Sequence, residues 1–160
     1  MAVTIGIETP LQDDVRRLVA ALNDHLLPLS PIEFQFKMTV EQMAGDDTTV
    51  FVARNAEAEA VGCGALKVHS SDLGEVKRMF TDPSVRGQRV GSALLGAIVD
   101  LARQKGLSQL MLETGTGPGF AEAQRLYQRS GFTPRGPFLD YPDSEWSAFF
   151  AMPLRQGAEA

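Results

Sequence analysis

Alternating apolar and polar residues predict strands along much of the chain. In "VTIGIE", Val3, Ile5 and Ile7 occupy every second position, so residues 3–8 are expected to form a strand. Other apolar segments, bounded by glycine, proline or polar residues, have the same character. These further predicted strands are 49–55, 60–69, 75–82, 107–114, 131–134 and 147–154. The short polar turn after the first of them predicts a hairpin with the next.

Helical spacing predicts the elements between these strands. Apolar residues recur every three or four positions over 11–26, with Thr9 as the expected N-cap and Pro10 as the first helical residue. A second amphipathic helix is expected over 90–105, and Gly106 is a suitable residue to end it. Two further helices are predicted, 39–44 and 119–130.

The order of the predicted elements places hairpins first and strand–helix–strand crossovers afterwards. Hairpins produce antiparallel pairing, and crossovers produce parallel pairing. We therefore expect an α/β (α+β) fold with a single domain over 1–154, in which helices cover both faces of a mixed, mostly antiparallel sheet of six to seven strands. Residues 155–160 are expected to form a frayed, disordered tail.

The composition is that of a globular protein, and it excludes several classes of function. The 160-residue chain is 44% hydrophobic and 22% charged, and it contains neither an apolar run long enough to span a bilayer nor a secretory signal, so we expect a cytoplasmic protein without a membrane partner. The net charge of −5 argues against nucleic-acid binding. A single cysteine excludes an internal disulfide, and with two histidines no metal site is expected. The sequence does not define the oligomeric state and leaves a homodimer open.

The segment "VRGQRVGSALL" (85–95) concentrates positive charge and flexible backbone at the start of a predicted helix. Helix N-termini carry unpaired N–H groups and a partial positive charge, and they therefore bind anions. Gly87 and Gly91 would let a phosphate approach the backbone, while Arg86 and Arg89 would add charge. The alternative is a solvated turn whose arginines face water, and the spacing alone does not decide between the two.

Two nucleotide-binding patterns compete with this interpretation. A P-loop requires a Gly-Lys pair, and none occurs in the sequence. In "LETGTGPGFAEA" (112–123), three glycines lead from a strand into a helix, as in dinucleotide-binding folds. About 40 residues follow this segment, which is too short for the remaining units of about 30 residues or more each. We expect a flexible strand-to-helix connection there instead.

The segments "RGQRVG" (86–91) and "AEAQRLYQRSGF" (121–132) resemble the GNAT superfamily of acyl-CoA-dependent N-acetyltransferases. The family's phosphate motif is [Gln/Arg]-x-x-Gly-x-[Gly/Ala], and Arg89 stands where the family often has the first glycine. Since non-glycine residues rarely adopt a positive φ, we expect position 89 not to require one. The segment "GPFLDYPDSEWSAFF" (136–150) is similar to a bacterial small-molecule branch of the family.

The resemblance implies that acetyl-CoA is the cofactor. Its pyrophosphate would bind the backbone N–H groups of residues 88–92 beside the two arginines, and its pantetheine arm would pair like an extra strand with residues 79–81. A gap between the strands 75–82 and 107–114 would form the slot, where the N–H of Phe80 would polarise the thioester carbonyl. The cofactor-binding residues so implied are Met79, Phe80, Thr81, Arg86, Gly87, Gln88, Arg89, Val90, Gly91, Ser92, Thr114, Phe120, Ala123 and Tyr127.

The same resemblance implies the catalytic residues. Tyr127 matches the family's tyrosine, which would protonate the departing thiolate. Glu75 is the expected general base, acting through a water molecule, and Glu113 and Glu33 are the alternatives. An ion pair between Glu75 and Lys77 would make that carboxylate structural instead. The other titratable candidates are expected to be structural: His25, His69 and Cys63.

The acceptor pocket is expected between "LLPLSPIEFQF" and "FLDYPDSEW", with the substrate-binding residues Glu33, Phe34, Asp140 and Tyr141. The acidic residues of the second segment would favour a cationic amine, unless they are solvated loop charges. The expected function is direct transfer of the acetyl group from acetyl-CoA to the amine of a small molecule or amino acid. A non-catalytic acyl-CoA-binding module and a nucleotide-binding domain that uses "GTGPG" are the alternatives.

Overall fold

The computed structural model describes residues 3–154, so the tail predicted over 155–160 lies outside the described residues. The strands are β1 (Thr4–Ile7), β2 (Thr48–Arg54), β3 (Ala60–Val68), β4 (Leu73–Thr81), β5 (Gln109–Gly115), β6 (Thr133–Arg135) and β7 (Ser147–Pro153). The α-helices are α1 (Asp13–Leu26), α2 (Val40–Met43), α3 (Val90–Gln104) and α4 (Ala121–Arg129). Short 3₁₀ turns span Ile32–Phe34, Pro83–Val85 and Pro118–Phe120. Over residues 3–154, none of the helices combines the length and apolarity needed to cross a bilayer.

The strands of the described residues form one seven-stranded sheet in the order β1-β2-β3-β4-β5-β7-β6. Strands β4 and β5 pair in parallel, because α3 carries the chain back between them, and the other neighbouring pairs are antiparallel. The mixed, mostly antiparallel sheet predicted from the order of elements is confirmed. The one parallel pair lies at the centre of the sheet.

Helices cover both faces of the sheet, as the sequence predicts. On one face, Leu94 and Ile98 of α3 belong to a buried cluster with Leu66 of β3. On the other face, Val15 of α1 is buried with Val52 of β2. Because side chains alternate between the faces of a strand, each central strand presents one row of side chains toward α3 and another toward α1.

Helix α1 begins at Asp13, so the prediction of Thr9 as its N-cap is wrong. The hydroxyl of Thr9 accepts a hydrogen bond from the amide of Leu11 (3.2 Å), and the Gln12 side chain donates to the Thr9 carbonyl (2.9 Å). These bonds hold the residues around Pro10 in a turn, and Gln12 becomes the N-cap. The first turn of the helix then contains acidic residues, which interact favourably with the positive end of the helix dipole.

Arg54 connects β2 to α1 and to the residue that follows β1, and we expect its removal to change the acid stability of the fold. Its guanidinium lies 2.7 Å from Glu8 and 2.7 Å from Asp14. Hydrogen bonds from Arg54 lower the pKa of both carboxyls. A carboxyl whose pKa is lowered on folding stabilises the protein above its unfolded pKa, and this contribution disappears as the pH falls through the folded value.

The Arg54→Ala variant should therefore lose on the order of 1–2 kcal/mol of unfolding free energy at pH 7. Its stability should also vary less than that of the wild type between about pH 5 and pH 2. Urea unfolding at a series of pH values measures both effects. Arg16→Ala is the control, because Arg16 pairs with an exposed Glu41 at 3.4 Å. An acid dependence equal to that of the wild type would contradict the prediction.

Candidate active site

The parallel strands β4 and β5 separate partway along their length. Their pairing ends at Glu75 with Met111, although β4 continues to Thr81 and β5 to Gly115. Beyond Glu75, the facing strand edges carry backbone groups that no other strand of residues 3–154 uses. The gap predicted between these two strands is present, and its edges can pair with an extended ligand.

A β-bulge in β4 lies within this gap. The register with β3 shifts by one residue, so that Arg78 and Met79 together stand opposite Gly64. Arg78 adopts a positive φ of 56° to make the bulge. The Met79 side chain occupies the space beside Gly64 where another residue would place its side chain. A Cβ added at Gly64 would lie 2.5 Å from the Met79 sulfur. Glycine at position 64 therefore makes room for the bulge.

The bulge also decides which amides face the gap, and it corrects the prediction for Phe80. Beyond the bulge, the Asp82 amide donates to the Val61 carbonyl (2.8 Å). Backbone groups of an antiparallel strand face its partner at alternate residues. The amide of Phe80 therefore faces β3, whereas the amides of Met79 and Thr81 face the gap. The oxyanion donor predicted at Phe80 is thus wrong, because the extra residue in the bulge shifts the alternation.

A cleft of about 950 Å³ fills the gap and continues to the start of α3. Glu75 and Phe34 line this cleft, and Gln88 is exposed and lies outside its lining. The other cofactor-binding residues predicted from the sequence all line it: Met79, Phe80, Thr81, Arg86, Gly87, Arg89, Val90, Gly91, Ser92, Thr114, Phe120, Ala123 and Tyr127. The cleft volume is typical of a small-molecule or cofactor site.

Three residues predicted to bind the acceptor do not line the cleft. Glu33 lies in the 3₁₀ turn Ile32–Phe34 and Asp140 in the turn between β6 and β7, and both are exposed. Tyr141 lies behind the lining, where its hydroxyl hydrogen-bonds to Glu75 and accepts from Lys77 (2.9 Å). The acidic loop residues after Tyr141 are likewise exposed at positions 143 and 145.

The start of α3 presents unpaired amides to the cleft. The first intrahelical bond runs from the Ala93 amide to the Arg89 carbonyl (3.1 Å), so the amides of residues 90–92 precede it. Arg89 has a φ of 64° and a ψ of 24°, in the left-handed region. The prediction that position 89 does not require a positive φ is therefore wrong. The chain must turn sharply from Gly87, which has a φ of 83°, into the helix.

Tyr127 lies in the last turn of α4 and lines the cleft, although the residue is 7% exposed. Its ring packs against Phe132 and Phe150, with centroids 6.0 and 6.4 Å away. Burial raises the pKa of the Tyr127 hydroxyl above its ordinary value, and the charge of Glu113 raises it further. The hydroxyl therefore keeps its proton at neutral pH and can act as a proton donor.

Glu75 is buried at the point where the strands separate, with 2% of the residue exposed. One of its carboxylate oxygens lies 2.8 Å from Nε2 of His69, and the other lies 3.4 Å from Nζ of Lys77. The hydroxyl of Tyr141 donates to the second oxygen. The ion pair with Lys77 considered for this residue is present, and both carboxylate oxygens have protein partners.

Glu113 is a second carboxylate of the cleft, and it lies on β5. The Ser147 hydroxyl donates to it at 2.7 Å. Burial raises the pKa of Glu113 to about 7, while the hydrogen bond from Ser147 and the charge of Lys77 lower it and the charge of Glu75 raises it. The carboxylate therefore gains and loses a proton near neutral pH, as a general base requires.

Cys63 is fully buried, and burial raises the pKa of its thiol to about 12. The thiol is therefore protonated and inaccessible, which confirms the prediction of a structural cysteine.

His69 follows β3 and pairs with Glu75. His25 is exposed at the end of α1 and lines the cleft, with its ring 6.3 Å from that of Phe80. No group of three or more His, Cys, Asp or Glu side chains is arranged to hold a metal ion within residues 3–154.

Sequence reasoning missed Arg78, which lines the cleft and is 8% exposed. Its guanidinium donates to Asn23 of α1. The sequence also gave no indication of Gln35, whose amide nitrogen donates to three carbonyls at and after the end of α1. Its Oε1 is buried without a partner among the described residues. The adjacent cations Lys77 and Arg78 interrupt the strand alternation, which is a signal that could have indicated the bulge.

The glycines of "GTGPG" (115–119) are used for packing and for a turn. A Cβ added at Gly115 would lie 2.2 Å from Cε2 of Phe120. The chain then forms the 3₁₀ turn before α4, which divides the helix predicted over 119–130. At the edge away from β4, β5 pairs with the antiparallel β7 rather than with a further parallel strand. This topology is not that of a dinucleotide-binding fold.

The opened sheet, the unpaired amides of α3 and the buried tyrosine together define an enzyme that uses an acyl-CoA thioester. Residues 46–134 match the model of the acetyltransferase (GNAT) domain, which is more than half of the chain, and the protein belongs to the GNAT acetyltransferase family. The matched region extends from the loop before β2 into β6, so it includes the gap, the start of α3 and Tyr127.

Relatives of nearly equal length carry the same activity in their names. The chain is 42% identical to an IAA acetyltransferase of Azospirillum brasilense over 95% of this chain and 98% of the relative. A crystal structure of a Klebsiella pneumoniae protein described as an acyl-CoA N-acyltransferase is 33% identical, with a TM-score of 0.80 over 96% of this chain and 98% of that one. The protein is therefore an acetyl-CoA-dependent N-acetyltransferase.

A more distant structure shows the same fold with its cofactor. The PaiA N-acetyltransferase of Thermoplasma acidophilum in complex with coenzyme A has a TM-score of 0.74 and 14% identity over 96% of this chain and 99% of that one. The fold shared with this complex is the one described above.

Proposed function

We propose that this enzyme transfers the acetyl group of acetyl-CoA directly to the amine of a small molecule or amino acid. The observation that carries the proposal is that one cleft joins the unpaired amides of α3 to the gap containing Tyr127 and Glu113. When bound, acetyl-CoA supplies the thioester carbonyl that the amine attacks. The residues of the chain then hold the thioester, remove a proton from the amine and return a proton to the thiolate.

The backbone of the cleft fits the phosphate and pantetheine parts of coenzyme A. The amides of residues 90–92 and the helix dipole attract the pyrophosphate, and Arg86 and Arg89 line the same end of the cleft. The amides of Met79 and Thr81 pair with the pantetheine arm along the open edge of β4. In this arrangement the Met79 amide donates to the thioester oxygen and stabilises the negative charge that develops there.

The left-handed conformation of Arg89 gives a test of this arrangement. A non-glycine residue in this region is strained, so Arg89→Gly should be roughly 0.5–1 kcal/mol more stable than the matched variant Arg89→Ala. Both variants lack the guanidinium and should bind acetyl-CoA about 3- to 10-fold more weakly than the wild type. Thermal unfolding and calorimetric titration measure the two effects. Equal stability of the two variants would contradict the strain at position 89. Wild-type affinity for acetyl-CoA in either variant would contradict the role of the guanidinium in binding.

Proton transfer is assigned to Glu113 and Tyr127. Glu113 accepts a proton from the attacking amine, directly or through a water molecule, as the new C–N bond forms. Tyr127 donates its hydroxyl proton to the sulfur as the C–S bond breaks, which yields the acetylated amine and the free thiol of coenzyme A. Glu75 was the predicted base, but its oxygens are already hydrogen-bonded, and we assign it to positioning Lys77 and Tyr141.

Direct transfer is preferred because the chain offers no accessible thiol to carry the acetyl group. Its single cysteine, Cys63, is buried and protonated. Initial-rate kinetics should therefore be sequential rather than ping-pong, and mass spectrometry should detect no acetylated enzyme.

The proposal is tested by incubating the protein with acetyl-CoA and a panel of small amines and amino acids, with thiol release as the signal. IAA is included because it appears in the name of the Azospirillum brasilense relative. Acetyl-CoA binding is measured in parallel by calorimetry. A protein that binds acetyl-CoA and releases no thiol with any acceptor of the panel would contradict the proposed acceptor class.

A further inference from the structure

Arg78 is a buried cation without an acidic partner. With 8% of the residue exposed, its guanidinium contacts Asn23, and it forms no ion pair with a carboxylate of residues 3–154. Its Nε is sealed from solvent and has no hydrogen-bond partner in this part of the chain. Although burial lowers the pKa of Arg78, a guanidinium remains protonated in proteins, so the positive charge persists.

A buried charge of this kind is costly unless a counter-charge is supplied. Two half-buried cations of the fold have their partners within the chain: Lys77 is paired with Glu75, and Arg54 with Glu8. Arg78 lines the open cleft as Lys77 does, but it has no carboxylate partner among the described residues. The missing counter-charge can therefore come from a ligand, and a planar guanidinium suits a carboxylate.

The pyrophosphate of coenzyme A does not account for this cation. The amides that fit the pyrophosphate begin α3, after the end of β4. Arg78 instead contacts Asn23 of α1, which covers the opposite face of the sheet from α3. Its charge therefore lies on the side of the cleft formed by α1 and the loop that follows it, where Phe34 and Gln35 also contribute to the lining.

A second unpartnered polar atom lies on the same side. Oε1 of Gln35 is buried without a hydrogen-bond donor among the described residues, while its amide nitrogen is fixed by the carbonyls of Leu26, Leu27 and Ser30. The fixed nitrogen holds the oxygen in place as an acceptor. The cleft thus combines a cation that lacks an anion with an acceptor that lacks an N–H donor, and a molecule with both a carboxylate and an amine supplies the two.

We propose that Arg78 binds the carboxylate of the acetyl acceptor, which is consequently an amine that carries a carboxylate group, as an amino acid does. This inference rests on the proposed function and narrows its acceptor class. In this arrangement Gln35 accepts a hydrogen bond from the acceptor, and Glu113 accepts the amine proton during transfer.

Matched ligands test the inference without requiring that the natural acceptor be known. The probes are amino acids with different side chains and the corresponding primary amides, which keep the amine and side chain and remove the negative charge. Their binding to the enzyme saturated with coenzyme A is measured by calorimetry for the wild type, Arg78→Gln and Arg78→Lys. Arg16→Gln is the matched control, since Arg16 pairs with an exposed Glu41 away from the cleft. Acetyl-CoA affinity and circular dichroism establish that each variant folds.

We expect the wild type and Arg16→Gln to bind the best amino acid roughly 10- to 100-fold more tightly than its amide. Arg78→Gln should lose this preference and keep its affinity for acetyl-CoA. Arg78→Lys should retain part of the preference for the acid over the amide, because a lysine supplies the charge without the planar guanidinium. If Arg78→Gln does not fold, the acid preference of Arg78→Lys is the test of the inference. Equal binding of acids and amides by the wild type, binding of neither, or a preference that survives both substitutions would overturn the inference.

Turnover of the same pairs separates this inference from the function on which it rests. Acetylation of amides and acids at equal rates would support the transferase function and overturn the assignment of Arg78. Tight binding of the acids without thiol release from any amine would support Arg78 as an anion site and contradict the proposed transfer to amines. A variant that is destabilised while the acid preference is unchanged would show that Arg78 is structural.

Discussion

Replacement of Tyr127 with phenylalanine is expected to lower kcat by about 10²- to 10⁴-fold. The hydroxyl is the group that donates a proton to the leaving thiolate in the proposed reaction. Its pKa is raised by burial and by the charge of Glu113, so it is protonated throughout the neutral range. The ring contacts with Phe132 and Phe150 remain in the variant, and little stability should be lost.

Steady-state kinetics with saturating acetyl-CoA and amine measure this effect. The dissociation constant of acetyl-CoA and the midpoint of thermal unfolding serve as controls, and both should stay close to the wild-type values. The defect should become smaller with an acyl thioester whose thiol is more acidic, because such a thiolate leaves without protonation. Unchanged turnover in Tyr127→Phe would reject the assignment of the acid while leaving the fold and the cofactor cleft intact.

The end of the cleft at the start of α3 is predictable because its signals are local. Gly87, Gly91 and the neighbouring arginines lie within a few consecutive positions at the start of an amphipathic helix, and this pattern together with the family resemblance indicates a helix start that can bind an anion. Tyr127 is likewise found within one helix whose sequence resembles the family. Where contacts between near neighbours in sequence determine the site, the sequence is sufficient.

The bulge in β4 is set by contacts between distant residues, and the prediction that depends on it, the oxyanion donor at Phe80, is wrong. Gly64 on β3 makes space for Met79, and the shift in register turns the Met79 amide, rather than that of Phe80, toward the gap. The left-handed φ of Arg89 is a similar case, because the direction of the chain between β4 and α3 imposes it. A residue type that tolerates such a conformation poorly gives no sequence signal for it.

The acceptor side of the cleft is the least predictable part because several loops and α1 form it together. The acidic residues selected from the sequence, such as Glu33 and Asp140, are exposed. Arg78 and the Oε1 atom of Gln35 are buried instead, at positions where the strand and loop patterns gave no indication of a site. Whether a charged residue faces solvent or a cleft depends on the packing of α1 over the sheet, and that packing is not encoded in any single segment.

Replacement of Glu113 with glutamine is expected to remove the general base and to change the pH dependence of both activity and stability. The wild-type kcat/KM should rise as the pH passes through about 7, where Glu113 becomes ionised. The variant should be on the order of 10²-fold slower at pH 8, and it should lack this rise. The profile is measured with an acceptor whose amine has a pKa above about 9, so that the ionisation of Glu113 is separated from that of the amine.

The stability of the same variant provides an independent measurement, because the pKa of Glu113 is raised on folding. Between its unfolded value of 4.5 and its folded value of about 7, the folded protein binds more protons than the unfolded chain. The free energy of unfolding of the wild type should therefore decrease over this range as the pH increases, and that of Glu113→Gln should decrease less. A variant with the wild-type stability profile would show that the carboxylate is ionised throughout. A wild-type rise in kcat/KM that persists in the variant would assign the base to another group, with Glu75→Gln as the next substitution to measure.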